Sequence, residues 1–176
     1  MTTDRPSWQL LLDRIEREPD PRRKANLDIV ARHVVLEVAG DVPALMTTLV
    51  AEPVYNFRGV TDTPAAHGAT AVRAHYETLI ATGRNRLDYH ITRVVVDDDH
   101  VVTDGDFHFA YPAAGAGDAW DLVAIHCLIV WPIDESGLIE GEEVYAAEPP
   151  RVIRRLMPGE LPQLGPLSRA GGGRAT

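Results

Sequence analysis

Apolar and polar positions change their period partway along this chain. Leu27, Val30, Ala31, Val34 and Val38 recur at the three- and four-residue spacing of an amphipathic helix, whereas the stretch from 87 to 146 falls into runs with the two-residue alternation of half-buried strands. The helix has readable ends: Asp20 offers an N-cap carboxylate, Pro21 suits the first helical position, and Gly40 can close it in the left-handed conformation. Ahead of it, Trp8, Leu11, Leu12 and Ile15 form one stripe of a short helix from a Ser7 cap to Arg17, which reads as a packing arm. After it, Asp41 and Pro43 open a short helix carrying Leu45, Met46 and Leu49 and ended by Glu52-Pro53.

A short strand at 54–57, turn residues from Gly59 to Gly68 and a helix over 69–81 come next. Four long strands follow at 87–96, 101–111, 120–131 and 138–146, joined by turns rich in Asp, Gly, Pro and Ser, with Asp97-Asp98-Asp99 as one solvated hairpin turn. Residues 149–156 are read as a closing helix. Helices first and an antiparallel meander afterwards describe an α+β domain, in which one curved antiparallel sheet wraps around helices. The expected layout is a helical arm at 1–19, a single domain at 20–157 and a flexible tail at 158–176, where Pro and Gly accumulate and apolar periodicity stops.

Composition narrows the function. At 176 residues and 45% apolar, the chain can bury one sizeable core. Cys127 is the lone cysteine and no leader-like segment opens the sequence, so a reducing, cytoplasmic setting is expected. The longest apolar run, 122–131, is interrupted by His126 and is about half the ~20 residues of a membrane span, so no membrane is expected. With 26 acidic against 17 basic side chains, the net charge of −9 disfavours a nucleic-acid partner and suits an uncharged or cationic small molecule. Gly171-Gly172-Gly173 precedes no helix and makes no phosphate loop, and Ser7, Ser136 and Ser168 lack a nucleophile elbow.

The order of elements, with Gly68 ahead of Ala69-Thr70-Ala71-Val72-Arg73-Ala74-His75-Tyr76, resembles the nuclear transport factor 2-like superfamily. The pieces 35–41, Val54-Tyr55-Asn56-Phe57 and Leu87-Asp88-Tyr89-His90 resemble its SnoaL-like polyketide cyclase and scytalone dehydratase branch. The resemblance implies a cystatin-like α+β barrel with a cone-shaped pocket for a compact polycyclic, polyketide, terpenoid or steroid-like ligand. It further implies dehydratase, isomerase or cyclase chemistry by proton shuttling without a metal or organic cofactor. By the same resemblance Tyr55 and His90 fall on a pocket tyrosine and a pocket histidine, and His126 on a pocket asparagine; Tyr111 lies closest to a second histidine. The aspartate that such families place three residues before one matching Asp41 is Val38 here, and the neighbouring Glu37 could take over the carboxylate role. Limonene epoxide hydrolase and ketosteroid isomerase chemistries fit less well, since Phe107, Gly105 and Val144 stand near the positions of the former's Asp, Arg, Asp trio and no Asp stands near Phe57.

The candidate catalytic set is therefore His90, Tyr55, His126 and Glu37, with Phe57, Tyr76, Tyr111, Trp131 and Val38 as ligand-contacting residues. His90, His108 and His126 recur every 18 residues, so turns centred near 99 and 117 would set them side by side on one face, as a proton relay or, with Glu143, a metal site. In the other register Leu87, Tyr89, Ile91, Phe107 and Phe109 own the pocket face and the histidines lie outside, where a second subunit could pair. Two further functions stay open. One is a binding protein that keeps the pocket without chemistry, which Val38 favours; the other is a dimerisation module, since Val123 to Trp131 is apolar on both faces and a homodimer is expected.

Overall fold

Capping chemistry and apolar spacing set the helices. In the computed structural model, which describes residues 8–59, 63–113, 115, 119–157 and 159–160, α1 spans Gln9–Arg17, α2 Pro21–Ala39, α3 Val42–Met46 and α4 Ala69–Ala81. Asp20 accepts a hydrogen bond from the Arg23 N–H at the start of α2, and Gly40 ends it at φ 73°. Asp41 caps α3 through the Ala44 N–H. The apolar stripe Leu27, Val30, Val34 and Val38 is buried under the sheet, and α1 sinks Trp8 and Leu11 against α2 and β3. The expected Ser7 cap lies outside the described residues.

The strands are β1 (Leu49–Arg58), β2 (Ala66–His67), β3 (Leu87–Val96), β4 (His100–Pro112), β5 (Trp120–Pro132), β6 (Ile139–Ala146) and β7 (Arg151–Arg155). They form one curled sheet in the order β2-β1-β6-β5-β4-β3. All pairs are antiparallel except β1 with β6, which run parallel, and α4 packs against β1 and β2. This is the expected α+β architecture, a curved sheet around helices.

Three elements differ from the sequence reading, the smallest being β2 at Ala66–His67, which pairs with Val54 and Tyr55 inside the stretch read as turn. β1 begins at Leu49 and runs through Pro53, because the proline sits where the β1–β6 register shifts between Leu49 and Val54 and no ladder N–H is needed. Residues 151–155 are a strand, not a helix. β6 covers β5 only at 127–130, so the polar backbone of 121–124 is left open on that edge and β7 pairs there, with Val152 and Ile153 suited to extended backbone. The tail expected at 158–176 falls outside the described residues apart from 159 and 160.

Candidate active site

Strand alternation and register decide which side chains meet under the helices. Across β3, β4 and β5, Leu87 pairs with Phe109, and Tyr89 with Phe107, which pairs in turn with Ile125. Tyr89 and Phe107 stack at 3.9 Å between ring centroids. Thr103 is fully buried and its hydroxyl accepts from both the Tyr89 O–H and the Trp131 Nε1–H, each at 2.9 Å, so two aromatic donors are satisfied by one oxygen. These residues, Thr103 excepted, wall a cavity of about 140 Å³, together with Phe57 from β1, His75, Tyr76 and Leu79 from α4, Val34 and Glu37 from α2, and Glu142 and Val144 from β6. Most of the wall is apolar or aromatic, and polar groups enter it from α2, α4, β6 and the segment after α4.

A buried hydrogen-bond network stands behind the carboxyl end. His33 on α2 is fully buried; its Nδ1 lies 2.7 Å from Thr48 Oγ1 and its Nε2 2.8 Å from the Tyr76 hydroxyl. Thr48 gives its only hydrogen to the Leu45 carbonyl at 2.6 Å, so it must accept from His33 Nδ1–H. The Tyr76 hydroxyl also meets Glu142 Oε1 at 3.0 Å and the Tyr55 hydroxyl at 2.9 Å. Counting hydrogens, every short contact is satisfied in two ways when the cluster carries no net charge. Either His33 Nε2–H donates to Tyr76, which donates to Glu142, or a protonated Glu142 donates to Tyr76, which donates to His33 Nε2. The two arrangements differ by one proton passed across Tyr76.

Glu37 is one turn along α2 from His33 and on the same face. Its carboxyl reaches the cavity wall, where burial and the nearby Glu142 charge push its pKa up to about 8. It is thus a carboxylic acid at neutral pH. Burial, then the Glu142 charge, also drives the Tyr55 and Tyr76 hydroxyls well above the usual phenol range, so both remain hydrogen-bond donors. His75 is lowered by burial, an effect opposed by Glu142 and reinforced by Arg84. Cys127 lines the cavity as a thiol, its pKa raised to about 12 by burial.

The three strand histidines do not converge on this pocket, which corrects the inward placement of His90 and His126. His90 pairs with Asp106, not with His108, and Asp106 pairs with His126. All three lie on the outer face, where His90 is exposed and His126 is 48% exposed. His126 places Nε2 2.9 Å from Asp104 and Nδ1 2.9 Å from Asp106, and its pKa is raised by the Asp106 hydrogen bond and the Asp104 charge. The reason is parity: the pairs of β4 with β5, and those of β4 with β3 as far as Ile91, each sum to an even number, so across this stretch Phe107 and Phe109 point in and Asp106 and His108 out. The alternative metal set fails on the same ground. Glu143 faces out to Asn56 and Arg58, and among the described residues no three His, Cys, Asp or Glu converge as ligands.

Of the other candidates, Glu37, Phe57, Tyr76, Tyr111 and Trp131 line the cavity, and Tyr55 stands one layer behind, bonded to Tyr76. Val38 is buried in the core and is not part of the cavity wall. The sequence reading missed His33, Thr48, His75 and Glu142. His33 was signalled by its four-residue spacing from Glu37. Glu142 was hidden because Gly141, at φ 151°, sits in the register irregularity, so the parity of β6 cannot be carried from Ile139 to Glu142.

Residues 30–139 match the family model of the SnoaL-like domain, and the chain belongs to that family. A protein described as a SnoaL-like polyketide cyclase from Jannaschia sp. CCS1 has a similar structure, at 17% identity and a TM-score of 0.60, covering 74% of this chain and 91% of that one. Bal32a from a soil-derived mobile gene cassette is similar at 15% identity and a TM-score of 0.58, over 72% of this chain and 92% of that one. SalBIII, an epoxide hydrolase/cyclase-like enzyme in pyran ring formation of the polyether salinomycin, is similar at 14% identity and a TM-score of 0.56, over 69% and 90%. At these identities the likeness is one of fold. No match was found among the curated proteins.

Proposed function

We propose that this protein is a cofactor-independent small-molecule enzyme that moves protons between a compact, largely apolar substrate and the carboxyl groups of Glu37 and Glu142. The observation that carries the reading is the Tyr76 hydroxyl between His33 and Glu142, at 2.8 and 3.0 Å, inside a pocket that also holds Glu37. Glu142, held by Tyr76, accepts a proton from a substrate C–H or O–H. His33 shares that proton across Tyr76. Glu37, protonated at neutral pH, supplies one to a departing or attacked oxygen, and the pair is reset before the next turnover as Glu142 releases its proton to water and Glu37 takes one up. The arrangement suits dehydration, isomerisation or ring closure, in which each proton removed is matched by one delivered. Tyr55 acts through Tyr76 as a positioning residue, and the role first considered for His90 and His126 passes to the inward-facing groups.

Proton exchange tests this without knowledge of the natural substrate. With α-tetralone as a compact bicyclic ketone in D₂O, NMR should show enzyme-dependent C–H exchange that falls at least ~10²-fold in Glu142→Gln. A wild-type protein that binds the ketone yet leaves its exchange at the uncatalysed rate would instead be a binding protein of the same fold. Pairing of two copies across the outer face of β4 and β5, where Leu122, Leu128 and Val130 stand partly exposed, belongs to the same proposal. Light scattering at a single monomer mass would remove it.

A further inference from the structure

A permanent cation, Arg84, stands in the wall of this pocket, and none of the described carboxylates pairs with it. Arg84 follows α4 in a helix-ending motif: the Gly83 N–H bonds the Ile80 carbonyl at 2.9 Å and the Arg84 N–H bonds the Leu79 carbonyl at 2.8 Å, with Gly83 at φ 73°. Asn85 then ties the segment to α2 through the Val38 carbonyl at 3.2 Å. The backbone that carries Arg84 is therefore fixed on both sides. Its guanidinium lies 5.3 Å from the centroid of the Tyr111 ring, which holds the side chain against the aromatic wall.

Among the described residues of this acidic chain six other arginines pair with carboxylates, Arg14 with Glu18 on α1 being one. Arg23 pairs with Asp98, Arg58 with Glu143, Arg93 with Asp104, Arg154 with Glu160 and Arg155 with Asp121. Arg84 has no acidic partner among the described residues. It is half-buried, lines the cavity, and also borders a neighbouring cleft of about 380 Å³ along α4, so solvent reaches this end of the pocket. Its charge is felt inside, since it lowers the pKa of His75 while Glu142 raises it. His75, Arg84 and Glu142 thus share one cavity wall in which both charges act on the imidazole.

We propose that the ligand is an acid: an apolar, ring-sized body bearing a carboxylate, held with that carboxylate on Arg84 and the body directed toward Glu37 and Glu142. The substrate class rests on the acid/base reading only for what happens at the far end; the recognition step stands on Arg84 alone. A planar guanidinium can take both carboxylate oxygens, and a site already stacked on an aromatic ring gives up little side-chain freedom in doing so. An anion at Arg84 also avoids the carboxyl end, so the ligand is bound in one orientation. The chain's net charge of −9 repels anions at long range, so a local cation is what would let an acidic ligand bind in preference to a neutral one.

The probes are 2-naphthoate and its neutral isostere 2-naphthamide, titrated against the full chain at pH 7 and low salt by calorimetry. The acid should bind wild type roughly tenfold more tightly than the amide. Arg84→Gln should erase that preference while leaving amide affinity within about twofold, and Arg84→Lys should restore part of it. Raising salt should weaken acid binding alone. Equal affinities in wild type, a preference that survives Arg84→Gln, or failure of both probes to bind would overturn the proposal. None of these results bears on proton transfer, which is read separately by deuterium exchange into the neutral ketone.

Discussion

Replacing Glu37 by Gln should change how stability depends on pH, in a direction fixed by where its carboxyl sits. In the folded chain that group titrates near 8, against an ordinary value of 4.5, because the cavity wall strips its water and Glu142 opposes its charge. Above pH 4.5 the unfolded chain has released this proton and the folded chain still holds it. The stabilisation is therefore complete below about pH 4.5 and is lost as pH rises toward 8. The slope is at most about 1.4 kcal/mol per pH unit for one proton. Over the whole interval the change is at most about 5 kcal/mol. That is a large share of a typical domain's stability of about 5 to 15 kcal/mol. Gln keeps the shape and cannot ionise. Urea unfolding of wild type and Glu37→Gln, followed by tryptophan fluorescence from pH 5 to 9, should show the variant gaining on wild type steadily with pH and levelling above 8. Two profiles that stay parallel across this range would mean that Glu37 ionises as an ordinary surface carboxylate, and the acid assigned to the pocket would be lost with it.

Two other consequences concern the framework. Gly141→Ala should unfold the chain or strip the β1–β6 pairing, since a Cβ there would run into the Val54 backbone and φ 151° disfavours any side chain; circular dichroism indistinguishable from wild type would contradict this. On the outer face, NMR titration of His126 should give a pKa above 6.5 that returns toward it in Asp106→Asn. Its stabilisation is present below the unfolded pKa and fades as pH rises through the folded one. With His126 48% exposed it should amount to less than about 1 kcal/mol.

Much of the architecture was written locally. Asp20, Pro21 and Gly40 set the ends of α2, and the switch from helical to alternating apolar spacing announced helices followed by a curved sheet. Glu37 was legible as an acid beside the apolar stripe of that helix, and Phe57, Tyr76, Tyr111 and Trp131 as wall. The register was not. A shift of one residue turns a whole strand over, and the bulge between Ile91 and Arg93 and the irregularity at Gly141 are made by pairing partners far away in the chain. So three evenly spaced histidines read as a row while the fold put Asp106 between two of them and turned all three outward. The working group of His33, Tyr76, Glu142 and Glu37 comes from two helices and a strand separated by as many as 109 positions, between 33 and 142. No local pattern encodes such a meeting. It exists because burying the α2 stripe under the sheet brings polar side chains from several elements into one dry space, where each must find a partner.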